Sequence, residues 1–136
     1  MAVQVLKDVT ISIGGVQLES KANSVTLTYE AESIDVTAFD GSGARKFAAG
    51  LVNNTVEVAL MQDFAAAQTE ATIYPLVGTT TTVIIKPTAG SVSASNPTYT
   101  VTGTYLASHT PVAGGVGELA MTTLTFTGGT LVKATS

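Results

Sequence analysis

The sequence has no cysteine, no tryptophan, one histidine and few charges. Without cysteine there is neither a disulfide framework nor a thiolate metal site. One histidine cannot supply the three or four ligands of a zinc centre. Aromatic residues make up 6% of the chain, too few for a platform on which single-stranded nucleic acid would stack. The six basic residues are Lys7, Lys21, Arg45, Lys46, Lys86 and Lys133. Only Arg45 and Lys46 adjoin, so recognition of nucleic acid by charge neutralisation is not expected. No apolar run approaches the roughly 18 residues that span a membrane. The N-terminal stretch Met1–Asp8 lacks the basic start and apolar core of a secretory leader.

Charged residues are 12% of the chain, against about 25% in an ordinary soluble domain. Hydrophobic residues reach 45%, and threonine occurs 23 times. The surface is therefore made of hydroxyls, amides and glycine. Such groups are cheaper to desolvate and re-pair across an interface than charges are. Two readings fit: a subunit buried on several sides by its neighbours, or a neutral, threonine-rich β domain of a secreted or cell-surface protein.

At 136 residues the chain is expected to form a single domain spanning 1–136. Period-two alternation dominates. Thr10–Ile13 and Val16–Glu19 flank Gly14-Gly15, a two-residue hairpin signal. Val25, Leu27 and Tyr29 share one face of a strand, with Thr26, Thr28 and Glu30 on the other. Residues 53–61 alternate most clearly, placing Val56, Val58 and Leu60 opposite Thr55, Glu57 and Ala59. Further strands are expected at 80–86, 98–107 and 119–126, ending in Gly128-Gly129 and a short tail. One helix is expected at about 63–76, with Asp63 as N-cap, Phe64, Ala67, Ala71 and Tyr74 on one face, and Pro75 and Gly78 as stops. The fold class is mainly β, a sandwich or barrel with one flanking helix.

No residue set specifies chemistry. His109 lacks a sequence-specified nucleophile and acid, and a lone histidine at a strand end is more often structural. Glu30, Glu32 and Asp35 read as a solvated acidic segment rather than a glycosidase pair. Gly41-Ser42-Gly43 lacks the GK[ST] of a phosphate loop. No catalytic, cofactor-binding or metal-binding residues are assigned, and the chain is not read as an enzyme.

Three segments together carry a resemblance. They are Glu32–Phe39 followed by Arg45-Lys46-Phe47 and Gly50–Val58, then Gln62–Ala67 leading to Tyr74–Gly78, then Pro87-Thr88, Ser95–Tyr99 and Gly114–Leu119. Their order and spacing resemble the major tail (tail tube) proteins of siphophages over about residues 24–128. The resemblance implies a β-sandwich with a flanking helix, six copies per ring joined through an inner β-barrel, and rings stacked into a hollow tube that conducts the genome. It implies a loop, here about 37–52, that reaches the adjacent ring through Asp40, Arg45, Lys46 and Phe47. Arg45 and Lys46 are expected to pair with acids of that ring. Ala2–Lys7 and Leu131–Ser136 are implied ring contacts. Thr26, Thr28, Glu30 and Glu57 are the lumen-facing candidates, with Val25, Leu27, Val56 and Val58 packed against the helix. The implied partners are further copies of the chain, a tape-measure protein, and tail terminator and tip proteins. Viral DNA would pass without sequence-specific binding, and no membrane is involved. The implied location is the virion tail, with assembly in the host cytoplasm. A head decoration protein or a pilus-like subunit is the competing structural role, and a carbohydrate-binding β-sandwich is the competing reading of another class.

Overall fold

The computed structural model describes residues 5–66 and 68–136. It is an antiparallel β-structure of eight strands: β1 Thr10–Ile13, β2 Val16–Gln17, β3 Ala22–Asp35, β4 Phe47–Met61, β5 Thr80–Lys86, β6 Thr98–Leu106, β7 Met121–Thr127 and β8 Thr130–Ala134. The strand order is β2-β1-β5-β6-β7-β4-β3, with β8 also on β6. Among the described residues no helix is long and apolar enough to cross a membrane.

The register explains how one sheet makes two layers. Across β1, β5, β6 and β8, Ile13, Val83, Val101 and Leu131 fall in one row, and Ile11, Ile85, Tyr99 and Lys133 in another. Across β3, β4 and β7, Val25, Val58 and Leu124 form a row, and Leu27, Val56 and Phe126 form the next. These two sets face each other, and most of them join one buried cluster. The layers are connected where β6 ends, because Leu106 pairs with Phe126 while the start of β6 pairs with β8.

That junction depends on a glycine. Gly129 has φ of +89°, and a Cβ there would lie 2.6 Å from the Thr102 carbonyl oxygen and 2.9 Å from the Thr104 nitrogen. Backbone atoms cannot move aside cheaply, so only glycine lets the turn between β7 and β8 press onto β6. Asn54, buried in β4, clamps the same turn. Its side-chain NH2 donates to the Gly129 carbonyl at 2.9 Å, and its backbone carbonyl accepts from the Gly128 N–H at 2.9 Å.

Four expectations need correction. The helix is not 63–76: α1 runs only Thr69–Ile73 and continues as a 3-10 turn, Tyr74–Leu76. The Asp63 carboxylate caps a local turn instead, accepting from the Ala65 N–H at 2.9 Å, and it also pairs with Lys21 at 3.0 Å. The buried side of α1 is Thr69 and Ile73, while Phe64, Ala71 and Tyr74 are exposed; Ala67 lies outside the described residues. Accordingly, Val25, Leu27, Val56 and Val58 pack in a core shared with the opposing layer, to which the helix adds Ile73. The short tail expected after Gly128-Gly129 is instead a strand, since Thr130–Ala134 forms β8 on β6. The stretch 37–52 is not all loop, because Phe47–Val52 is the first part of β4 and pairs with the far end of β3.

Candidate assembly surfaces

Two surfaces stand out. The first is the outer face of β3, β4 and β7. Thr26, Glu57 and Thr125 form one cross-strand row, and Thr28, Thr55 and Thr127 the next. Glu30 continues the Thr28 side of β3 beside Asn53. Thus Thr26, Thr28, Glu30 and Glu57, the lumen-facing candidates, share one face and are all exposed. The rest of the face is hydroxyl-rich, and no lysine or arginine lies in these rows. Its flank is β3, a strand of fourteen residues at the end of the sheet order with one edge unpaired among the described residues.

The second surface is the arm made by the ends of β3 and β4. A register shift between Ala31 and Ser33 bends it, and Gly50 sits opposite. A Cβ on Gly50 would stand 3.0 Å from the Ile34 side chain and 3.1 Å from the Glu32 carboxylate, so glycine lets those side chains fold over the bulge. Beyond the bulge every side chain from Ala31 to Ala49 is exposed, including Ile34, Val36, Phe39 and Phe47.

Residues 36–46 close the arm, and its charges are matched internally. Arg45 donates to Asp35 at 2.8 Å, and Lys46 pairs with Asp40. The Thr37 N–H donates to Asp35, and the Lys46 N–H donates to the Thr37 hydroxyl, both at 2.9 Å. Arg45 and Lys46 therefore each meet an acid of their own hairpin. The hairpin register brings Val36 beside Lys46, which puts Asp35 and Arg45 within reach. Asp40 and Phe47, the other residues assigned to this contact, lie on the same arm.

These hydrogen bonds shift the carboxyls. Lys46 and the Ser42 N–H hold Asp40 down to about 2 from an ordinary 3.8. Thr37 and then Arg45 hold Asp35 below its usual value. A lowered folded-state pKa makes the contribution of Asp40 to arm order complete above pH 4 and lost as pH falls through about 2. An NMR titration of the Asp40 side-chain carbon should show a midpoint of about 2, moving toward 3.8 in Lys46→Ala. An unshifted midpoint in the unmodified chain would mean that the pair does not form in solution.

His109 has a network that its sequence position did not reveal. Its side chain is 2% exposed, and Nε2 lies 2.8 Å from the Glu70 carboxylate. The Thr122 hydroxyl is 3.3 Å from Nδ1, and Gln62 donates to Glu70 at 3.0 Å and to the Pro111 carbonyl at 2.7 Å. The series carboxylate, imidazole, hydroxyl looks like a nucleophilic triad in outline. Thr122 is 1% exposed, however, so its hydroxyl cannot meet a substrate. The network ties the segment between β6 and β7 to α1. No sequence spacing links Gln62, Glu70, His109 and Thr122, so only the fold brings them together. Among the described residues no three side chains are grouped to hold a metal.

No known family model matches the chain, and no curated protein sequence matches it. Solved structures do. A chain from the sheath/tube terminator of the PVC extracellular contractile injection system is 16% identical, with a TM-score of 0.71 and 96% of each chain covered. A chain from the tube-terminating cap of the anti-feeding prophage gives 14% identity and 0.71, covering 100% of this chain and 95% of the other. A chain from the virion of a native gene transfer agent gives 16% and 0.65, covering 97% and 99%. At these identities the likeness is one of fold, end to end, to chains of tail-like assemblies.

Proposed function

We propose that the chain is the tube subunit of a non-contractile, siphophage-type tail. Copies close head-to-tail into rings, six to a ring, and the rings stack into a hollow conduit for the genome. The observation that carries this reading is the fourteen-residue edge of β3, unpaired among the described residues, beside an exposed, cation-free face of hydroxyls and carboxylates. An unpaired edge of that length invites pairing with another chain, and ring closure satisfies it without open-ended aggregation. A face bearing Glu30 and Glu57 and no basic residue suits a bore through which DNA slides, because cations there would hold phosphate. The sparse surface charge fits a subunit covered on several sides. A tape-measure protein inside the tube, and terminator and tip proteins at its ends, are the expected partners. The particle would be assembled in the host cytoplasm and act as part of the virion tail.

The carbohydrate-binding alternative needs aromatic side chains together on one face. The exposed ones are dispersed, with Tyr29 on the inner side of β3, Phe64 in the segment before α1, Tyr74 on the 3-10 turn, Tyr105 beside Thr127, and Phe39 and Phe47 on the arm. Electron microscopy of the concentrated protein tests the tail reading. Hollow tubes with a regular ring repeat and sixfold end views are expected. Compact trimers, or binding to capsids, would replace it with head decoration.

A further inference from the structure

The corner where the two layers join is polar inside. Asn54 on β4 and Thr104 on β6 flank the Gly128-Gly129 turn from opposite sides. Asn54 holds the turn through its two hydrogen bonds at 2.9 Å. On the other side, the Thr104 nitrogen is only 2.9 Å from where a Cβ of Gly129 would stand. Both side chains are closed off from solvent, with 1% of Asn54 and 0% of Thr104 exposed. The residues two positions along each strand, Val56 and Leu106, belong to the apolar core.

Asn54 Oδ1 and the Thr104 hydroxyl are both buried without a hydrogen-bond partner among the described residues. Only one other side-chain polar atom there, on Glu19, shares that condition, so two of the three meet at one turn. Buried polar groups left unpaired are rare in folded proteins. Turning the Asn54 amide round does not help. Its NH2 donates to the Gly129 carbonyl, and a flipped amide would set two carbonyl oxygens against each other. Oδ1 is therefore an acceptor in need of a donor. The Thr104 hydroxyl is a donor, but a strand runs between β4 and β6 at this level. Their backbones thus stand two strand spacings apart, roughly 9–10 Å. Gly128, in between, has no side chain to fill the interval.

We infer that Asn54 and Thr104 bind one internal water across this corner. The water donates one hydrogen to Asn54 Oδ1 and shares a hydrogen bond with Thr104 Oγ1. A water suits the place because it both donates and accepts, and internal waters are held by two to four polar partners of this kind. An ion does not suit it, because no charged side chain is fully buried among the described residues to balance one. Thr104 is then required for its hydroxyl rather than for its shape. The site lies inside one chain, so it is filled whether or not copies assemble.

Thr104→Val decides between a bridged hydroxyl and an unpaired one, because valine keeps the shape of threonine and lacks the oxygen. Where the hydroxyl holds a water that Asn54 needs, valine removes a hydrogen-bond partner, and the unfolding constant of the dilute protein in a urea titration should rise about five-fold. Where the hydroxyl is simply buried unpaired, the same exchange relieves a cost, and the constant falls. Oxygen-17 relaxation dispersion of the unassembled chain counts long-lived internal waters directly and is blind to hydroxyl exchange. The count should drop by one in Thr104→Val and return in Thr104→Ser, which keeps the hydroxyl. An unfolding constant that falls or stays the same in Thr104→Val, or equal water counts in that variant and the unmodified chain, would overturn the site. So would an unmodified chain with no long-lived water at all, a result that needs no variant to fold.

Discussion

Phe126→Ala is expected to remove about 3–5 kcal/mol of folding stability, the range for a large aromatic deleted from a core that relaxes only in part. Phe126 has 0% of its surface exposed. It sits between Val56 on β4 and Leu106 on β6, at the place where the two layers become one sheet. A cavity there removes contacts from both layers. A domain of this size has about 5–15 kcal/mol of stability in all, so the variant would retain little margin. Urea unfolding of the dilute, unassembled protein gives the measurement. Phe126→Leu, which keeps most of the volume, should cost under about 1.5 kcal/mol. A loss for Phe126→Ala no larger than that would mean that the β6–β7 junction is loosely packed.

The strand ending at Phe126 is legible in the sequence, as are the inward Val56, Val58 and Leu60, because apolar residues there alternate with threonine, glutamate or alanine. What period-two alternation reports is a strand with one wet and one dry side. The arm has no dry side. Its stem from Phe47 to Val52 is strand without being covered, so Phe47, Leu51 and Val52 are exposed and the pattern dissolves into what reads as loop. Asn54 interrupts the apolar alternation, because a buried amide occupies an inward position to hold the turn at Gly128-Gly129. β8 escaped for a different reason. Five residues after a glycine pair carry one inward apolar side chain, Leu131, which is too little to announce a strand. The helix was overread because Asp63 followed by alanines is good cap chemistry for a helix or for a single turn, and the Lys21 pairing fixes the turn. Ion pairs such as Arg45 with Asp35 required the hairpin register, which sequence spacing does not contain.

Glu57→Lys should convert a tube that releases DNA into one that retains it, provided that the β3-β4-β7 outer face lines the bore. Glu57 is exposed at the centre of the Thr26–Glu57–Thr125 row, on the side opposite the core, so the exchange should leave folding nearly untouched. Its effect multiplies with assembly. On the sixfold reading each ring replaces six carboxylates by six ammonium groups, and every ring along the tube repeats the change. Affinity gained from phosphate neutralisation falls steeply with salt, with a slope of about −0.9 for each phosphate contacted. Assembled Glu57→Lys tubes should therefore hold linear duplex DNA at low ionic strength and let it go as salt rises, whereas unmodified tubes hold none. Phage carrying the change should make normal-length tails and lose infectivity at the ejection step. Lys86 offers a control: Lys86→Glu, on the partner row of Thr10 in the other layer, alters net charge without touching this face. If Glu57→Lys tubes assemble and bind DNA no better than unmodified ones, the hydroxyl face does not line the bore, and a different face of the sandwich must.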